Sequence, residues 1–358
     1  MTPPPLMEEL EEEVLLRFPP HEPALLVRAS LVCKRWRRIV SDPGFRRRFR
    51  ELHRTPPMLG LLCNFLEDDK MACFLHSAVA FCSVDADLCS YRALDARHGR
   101  VLLCCPRRKV VVVWDPIADM LQEYAFSWTA AVLCAACGHC DHLDCHRGPF
   151  VVVCVGSNYE KTFVCTYSSD AATWSMPITS NQPVGYVNLM PSLLVGNALY
   201  FAFRIRGMLL KYDLESREIS VIEVPHKLYI WRHVLLDSGL ALATVYDSKL
   251  WIWRKAGPEV DAGWTRDRSI ELESLLPADV KLISCIVVGF AHGIDLIFLR
   301  AGFMLFTIDL KTYKVEKVCK DKSIHSVVPY ISFCTPALEA ACTDEGSSVF
   351  ALAATTEN

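Results

Sequence analysis

The sequence predicts two unlike parts in one chain. A small all-α helical module occupies residues 1–55, and an all-β, propeller-like domain of five or six blades occupies residues 56–340; a loose tail follows over 341–358. Three observations lead there. Before Pro56-Pro57 the apolar residues recur at helical spacing, whereas after it short β-branched and aromatic runs alternate with Gly, Asp and Asn turns. The charge changes at the same place: residues 1–55 carry eleven basic and eight acidic side chains (+3), leaving 27 basic and 33 acidic (−6) for the rest. Finally, strand–turn–strand units recur downstream at a period of roughly 40–55 residues, in the range of propeller blades. A length of 358 residues accommodates about two such domains.

In the first part, Leu6, Leu10, Val14 and Phe18 recur every four residues and line one helix face, widened by Met7 and Leu15. Pro19-Pro20 ends that helix, because proline donates no backbone hydrogen bond and restricts the residue before it. A second helix starts near Pro23 and carries Leu25, Leu26 and Ala29; a third carries Val32, Trp36, Ile39 and Val40. Asp42-Pro43 reads as a cap followed by proline in the first helical position, opening a fourth helix striped by Phe45, Phe49 and Leu52. A module of this size buries only about 60% of its unfolded surface. Its surplus apolar stripes therefore predict a partner laid against its helices.

These residues carry a family resemblance. Leu6, Glu9-Leu10, Val14-Leu15, Arg17-Phe18-Pro19, Leu25 to Ser30, Val32-Cys33-Lys34-Arg35-Trp36-Arg37, then Pro43 and Phe45 resemble an F-box, with Met7 standing where that family usually has proline. The resemblance implies docking onto a Skp-type adaptor and through it a cullin, in a ubiquitin ligase whose F-box subunit selects the substrate and does no chemistry. It also implies that Leu6, Leu10, Val14, Leu15, Phe18, Pro19, Leu25, Leu26, Val32, Cys33 and Trp36 build the module core or face the adaptor. Sequence does not divide this set, and Trp36 is the expected anchor, since large aromatics dominate interface energies. The basic run from Lys34 through Arg54 suits a phosphate or nuclear-localisation patch, or the solvated face of two amphipathic helices; the intact apolar stripe through it favours the second.

Beyond Met58 the clearest unit runs from Pro191 to Pro225: Leu193 to Val195, Gly196-Asn197, Ala198 to Phe203, Met208 to Tyr212, a turn over Asp213 to Arg217, then Ile219 to Val224. The plan returns at Ile283 to Val318, where Asp309 takes the place of Asp213. Weaker copies lie at Val101 to Phe126, Phe150 to Ser175 and Val234 to Leu272, and Val327 to Phe333 is the expected closing strand. Trp114-Asp115 is the single Trp-Asp pair, so nothing supports WD repeats. Strings such as Leu133 to Pro149 and Val195 to Tyr200 make this part similar to the Kelch-like, propeller-like associated domain of plant F-box proteins, especially the expanded grass set. That resemblance implies a domain that binds a target protein, whose identity and binding residues the sequence does not disclose.

Cys134, Cys137, Cys140, His142, Cys145 and His146 crowd a short stretch of that part. Thiolate and imidazole suit zinc. A local knuckle built on Cys137, Cys140 and Cys145, however, needs its fourth ligand at Phe150, which has none. The expectation is an interblade loop with incidental thiols, no metal and no cofactor.

Composition excludes other classes. With 52% hydrophobic and 22% charged residues the chain fills a core. A net charge of −3 argues against a dedicated nucleic-acid binder on electrostatic grounds. No basic-then-apolar leader, Asn-X-Ser/Thr sequon or bilayer-length apolar run occurs. The expectation is a soluble intracellular protein of nucleus and/or cytoplasm, whose 17 cysteines are mostly buried thiols. Gly-x-Ser-x-Gly and Gly-x-Gly-x-x-Gly are absent, and Glu160 before Lys161 spoils a phosphate loop. The leading reading is a non-catalytic ligase substrate receptor; the alternative is a propeller scaffold outside any ligase.

Overall fold

The computed structural model describes residues 8–65, 71–76, 88–108, 110–116, 120–125, 129–136, 140–143, 145, 148–157, 161–180, 185–204, 207–225, 233–236, 239–257, 263–278, 280, 284–321 and 323–334. The tail expected over 341–358, and Leu6 among the candidate residues, lie outside them.

Four helices come first: α1 (Glu8–Leu16), α2 (Pro23–Val32), α3 (Lys34–Ser41) and α4 (Pro43–His53). The punctuation follows from local chemistry. Pro23 opens α2, where its missing N–H costs nothing. The Cys33 sulfur accepts the Trp36 amide at 3.4 Å at the start of α3, and Asp42 Oδ1 accepts the Phe45 amide at 3.0 Å at the start of α4. Leu15, Leu16, Leu26, Ala29, Ile39, Val40, Phe45 and Phe49 form the module core. The structure divides the α1 set that the sequence left undivided: Leu15 and Leu16 point inward, while Leu10 and Val14 point out. Val32 closes α2 rather than belonging to α3, and Leu52 is exposed.

The acidic and basic runs meet. Glu11 Oε2 accepts Trp36 Nε1–H at 3.1 Å and forms an ion pair with Arg35 at 3.1 Å, and Glu12 pairs with Arg48. Part of the basic run is therefore engaged with α1.

Six sheets follow among the described residues. The first joins β1 (Met58–Phe65) and β2 (Ala72–His76) to the last strand, β24 (Ile324–Ile331), in the order β2-β1-β24. The second contains β3 (Arg92–Arg97), β4 (Arg100–Cys105), β5 (Val110–Asp115) and β6 (Met120–Ala125). The third contains β7 (Thr129–Cys134), β8 (Phe150–Ser157) and β9 (Thr162–Ser168), with β10 (Thr173–Trp174) and β11 (Ile178–Ser180) both paired to β9. The fourth runs β12 (Leu193–Val195), β13 (Ala198–Ala202), β14 (Met208–Asp213) and β15 (Ile219–Glu223). The fifth runs β16 (His233–Leu236), β17 (Ala241–Tyr246), β18 (Lys249–Lys255) and β19 (Trp264–Glu271). The sixth runs β20 (Cys285–Ala291), β21 (Leu296–Ala301), β22 (Met304–Asp309) and β23 (Val315–Lys320). All paired strands are antiparallel, as short turns require.

The apolar side chains show how the sheets close into a ring. Leu62, Trp114 and Tyr330 share a cluster between sheets one and two; Leu102 and Val152, between two and three; Val155 and Leu199, between three and four. Leu209 and Leu242 join four to five, Ile252 and Ile297 join five to six, and Leu305 with Val327 and Cys63 joins six back to one. Six seams between six consecutive sheets make a six-bladed propeller. The ring is sealed by the β1–β24 pairing, with Leu62 opposite Val328 and Cys63 opposite Val327. Gly289 admits the close approach of blade six to β24, since a Cβ there would lie 2.5 Å from the Val327 carbonyl oxygen.

A buried amide reinforces this closure. Asn64 Nδ2 donates to the Ala93 carbonyl at 2.8 Å and to Ser326 Oγ at 2.9 Å, while its Oδ1 accepts the Ala93 amide at 2.8 Å. One side chain thus ties β1, β24 and β3 together.

Candidate functional site

The ten candidate residues of the helical module that are described separate by exposure. Leu15 and Leu26 are fully buried; Phe18 and Trp36 are half-buried against the core, as are Pro19 and Leu25 in their own surroundings. Leu10 and Val14 are 47% and 48% exposed, Val32 is 67% exposed, and Cys33 is exposed. Leu10 and Val14 stand four apart and share one face of α1.

Sequence reasoning missed Leu31, which at 77% is the most exposed aliphatic side chain of the module. A signal was present in α2, where Leu25, Leu26, Val27, Ala29, Leu31 and Val32 leave no polar face. A short helix apolar on all sides cannot be satisfied by one packing surface.

The module meets the propeller on blade-loop residues. Phe333 joins the module core and stands edge-on to Phe49, with ring centroids 6.4 Å apart, and Leu143 packs against the same core. Beside this junction opens a pocket of about 400 Å³. Arg50 and Arg54 line it from α4 and its C-terminal end, Asp95 to Gly99 from the β3–β4 hairpin, Asp141 to Leu143 and Cys145 from the β7–β8 connection, and Phe290, His292 and Val328 from the inner strands and their ends.

The polar groups here are largely spent on structure. Asp95 Oδ2 accepts the Val132 amide at 3.0 Å and Arg97 Nη1 at 2.5 Å, linking blade two to blade three. Arg97 also reaches the Ser192 carbonyl at 2.5 Å, in blade four. Burial pushes the Asp95 carboxyl up, against the pull of Arg97 and the Val132 amide. Burial, then His142, Arg97 and Arg100, lower the His98 imidazole to about 3, so it is neutral.

The β7–β8 connection gathers the thiols. The donor atoms of Cys134, Cys140, His142 and Cys145 all lie within 4.8 Å of one another. Cys145 Sγ is 3.6 Å from His142 Nδ1, and the His142 amide donates to Cys140 Sγ at 3.4 Å. Burial, followed by the Cys134 and Cys140 thiols, drives the Cys145 thiol well up. Cys137 and His146 lie outside the described residues. Strand pairing puts Cys134 directly across the hairpin from Phe150.

A helical module with uncovered apolar side chains, docked on a closed ring of six blades, defines a two-part architecture typical of non-catalytic receptors. Residues 88–338 match the family described as "F-box protein AT5G49610-like, beta-propeller", and residues 8–48 match the F-box domain. The first match spans more than half of the chain, which therefore belongs to the F-box proteins that carry this β-propeller. F-box domains generally bind Skp-type adaptors. No curated protein matches the chain. Among solved structures it is similar to a streptogramin B lyase (10% identity, 73% of this chain and 74% of that one, TM-score 0.39). It is also similar to a protein of unknown function from Bacteroides caccae (10% identity, 76% and 99%, TM-score 0.45) and to the WD40 domain of SCAP from fission yeast (13% identity, 64% and 54%, TM-score 0.36). Likenesses this distant do not bear on activity or partners. Among the described residues no helix is long and apolar enough to cross a membrane.

Proposed function

We propose that the chain is the non-catalytic substrate-recognition subunit of a Skp-cullin-F-box type ubiquitin ligase. Residues 1–55 grip the adaptor, the propeller over 56–340 holds a target protein, and residues 341–358 form a tail; the assembly works in nucleus and/or cytoplasm. The observation that carries this reading is the set of uncovered aliphatic side chains, Leu10, Val14, Leu31 and Val32, on the segment that matches the F-box domain. In this reading Leu15 and Leu26 build the module, Leu10, Val14, Leu31, Val32 and Cys33 meet the adaptor, and Trp36 braces α1 against α3.

The test is co-expression with a Skp-type adaptor, comparing the wild type with a Leu31→Asp, Val32→Asp double variant. Burying a valine or leucine is worth about 1.5–3 kcal/mol, so losing two weakens binding by more than about a hundredfold, before any cost of burying carboxylates. The expected result is a one-to-one complex that the double variant loses while melting as the wild type does. A folded wild type that binds no adaptor overturns the reading and leaves a propeller scaffold outside a ligase. Proteasome-dependent loss of a propeller-bound target then separates a ligase receptor from a scaffold that merely binds both partners.

A further inference from the structure

We propose that Cys134, Cys140, His142 and Cys145 form a structural zinc site of three thiolates and one imidazole, which fastens the β7–β8 connection beneath the helical module. The inference is independent of any ligase role.

Geometry comes first. Bonds of about 2.3 Å to sulfur and 2.0–2.1 Å to nitrogen give a tetrahedral zinc site edges of roughly 3.6 Å between sulfur and nitrogen and 3.8 Å between sulfurs. The Cys145 Sγ to His142 Nδ1 separation is 3.6 Å, and no pair among the four donors exceeds 4.8 Å. A contraction of about 1 Å at the widest pair completes the tetrahedron. The donor set is soft and mixed, which selects zinc over hard oxygen-seeking cations.

The surroundings are those of a ligating loop. The His142 amide points at Cys140 Sγ at 3.4 Å, the kind of outer donor that steadies a bound thiolate. His142 adopts a φ of 57°, a left-handed conformation rare for a side chain with a Cβ, and its ring lies 4.2 Å from that of His98. Arg100 donates to the Cys145 carbonyl at 2.8 Å and also to the Gly148 carbonyl, holding the loop from blade two. None of the three cysteines is in a disulfide.

Three thiols and an imidazole converge here, with Cys134 and Cys145 buried and His142 at the exposed side. On binding, each thiol releases its proton to solvent as its sulfur lone pair bonds to Zn²⁺, so affinity rises with pH. No electron is transferred.

The position gives the site a consequence. Leu143 lies between the ligands His142 and Cys145 and packs on the module core beside Phe333. A metal that fixes the loop fixes Leu143, and with it the seat of α4 on the propeller.

The experiment uses the full chain, purified under reducing conditions without chelator. Its metal content is measured by mass spectrometry, and Co²⁺ is titrated into metal-free protein. Expected are one zinc per chain, the intense visible bands of tetrahedral cobalt with thiolate charge transfer, and loss of both in Cys140→Ser. Cys285→Ala, in blade six, keeps them. Metal removal is expected to lower the melting temperature and speed tryptic cleavage next to Arg54, where the module leaves the propeller. Because the wild-type metal content stands without any variant, misfolding of Cys140→Ser does not rescue the idea. Zinc-free wild type with octahedral cobalt spectra, or zinc retained in full by Cys140→Ser, overturns it.

Discussion

In the propeller, the large aliphatic side chains of the inner strands, such as Leu102, Val152, Leu199, Leu242 and Leu299, are wholly buried between neighbouring sheets. In the helical module, Leu10, Val14, Leu31 and Val32 stand in solvent although the helices around them are well packed. Both regions draw on the same residue types. The difference lies in closure. A ring offers every blade two neighbours, so each apolar face finds a partner within the chain, and β24 returning to β1 leaves no seam open. Four short helices have no such return. Phe333 and Leu143 cover one side of the module, and the remaining apolar side chains wait for something outside.

The comparison is broken most severely at Phe49. It is buried against Phe45, His53 and Phe333, with centroids at 6.1, 4.4 and 6.4 Å. Phe49→Ala is expected to cost about 3–5 kcal/mol. For so small a module that is enough to melt it, whereas the ring, with its own six seams, persists. Calorimetry is expected to show a helical transition lost and the sheet transition kept. Leu31→Ala, on an exposed position of the same module, is expected to change stability by less than about 0.5 kcal/mol. Equal effects of the two substitutions would show that the module has no division between core and open face.

The next effect falls on the seal of the ring. Asn64→Ala removes three hydrogen bonds at a fully buried site and strands the Ala93 amide and carbonyl. The expected cost is about 2–4 kcal/mol, from a net 0.5–1.5 per bond and a penalty for each polar group left unmatched. Urea unfolding measures it. A loss under about 0.5 kcal/mol would mean that the apolar pairing of β1 and β24 alone closes the circle.

Legibility in the sequence follows the same division. Helix starts were readable because Asp42-Pro43 and Pro23 act through local chemistry. Blades four and six were readable because Asp213 and Asp309 mark the same turn after the same strand. Two things were not. Which α1 face is buried depends on tertiary packing: the i, i+4 stripe Leu10–Val14 reads equally as core or as contact face, and Leu15 and Leu16 take the core role. The convergence of the thiols was not readable because spacing along the chain does not report pairing across a hairpin; the β7–β8 hairpin brings Cys134 within reach of Cys145.

The smallest expected effect tests whether the repeated blade turns act through charge. Asp309 Oδ1 accepts the amides of Lys311 and Thr312 at 2.7 and 3.0 Å, and Asp213 Oδ1 accepts those of Glu215 and Ser216 at 3.1 and 3.0 Å. Those backbone amides pull both carboxyls below the usual Asp range, Thr312 acting most on Asp309 and Ser216 most on Asp213. A carboxyl whose folded value lies below its unfolded one stabilises the fold at neutral pH; that contribution is complete above the unfolded value near 3.9 and is lost as pH falls through the folded value. Both groups are well solvated, so Asp309→Ala is expected to cost less than about 1 kcal/mol at pH 7. The gap between wild type and variant should narrow as the pH drops below about 4. Asp213→Ala, in a different blade with no shared partner, should behave alike and add to it. A gap that stays constant from neutral to acid pH would show that the aspartates hold these turns through hydrogen bonds that do not need the charge, and no gap at any pH would show that backbone conformation alone holds them.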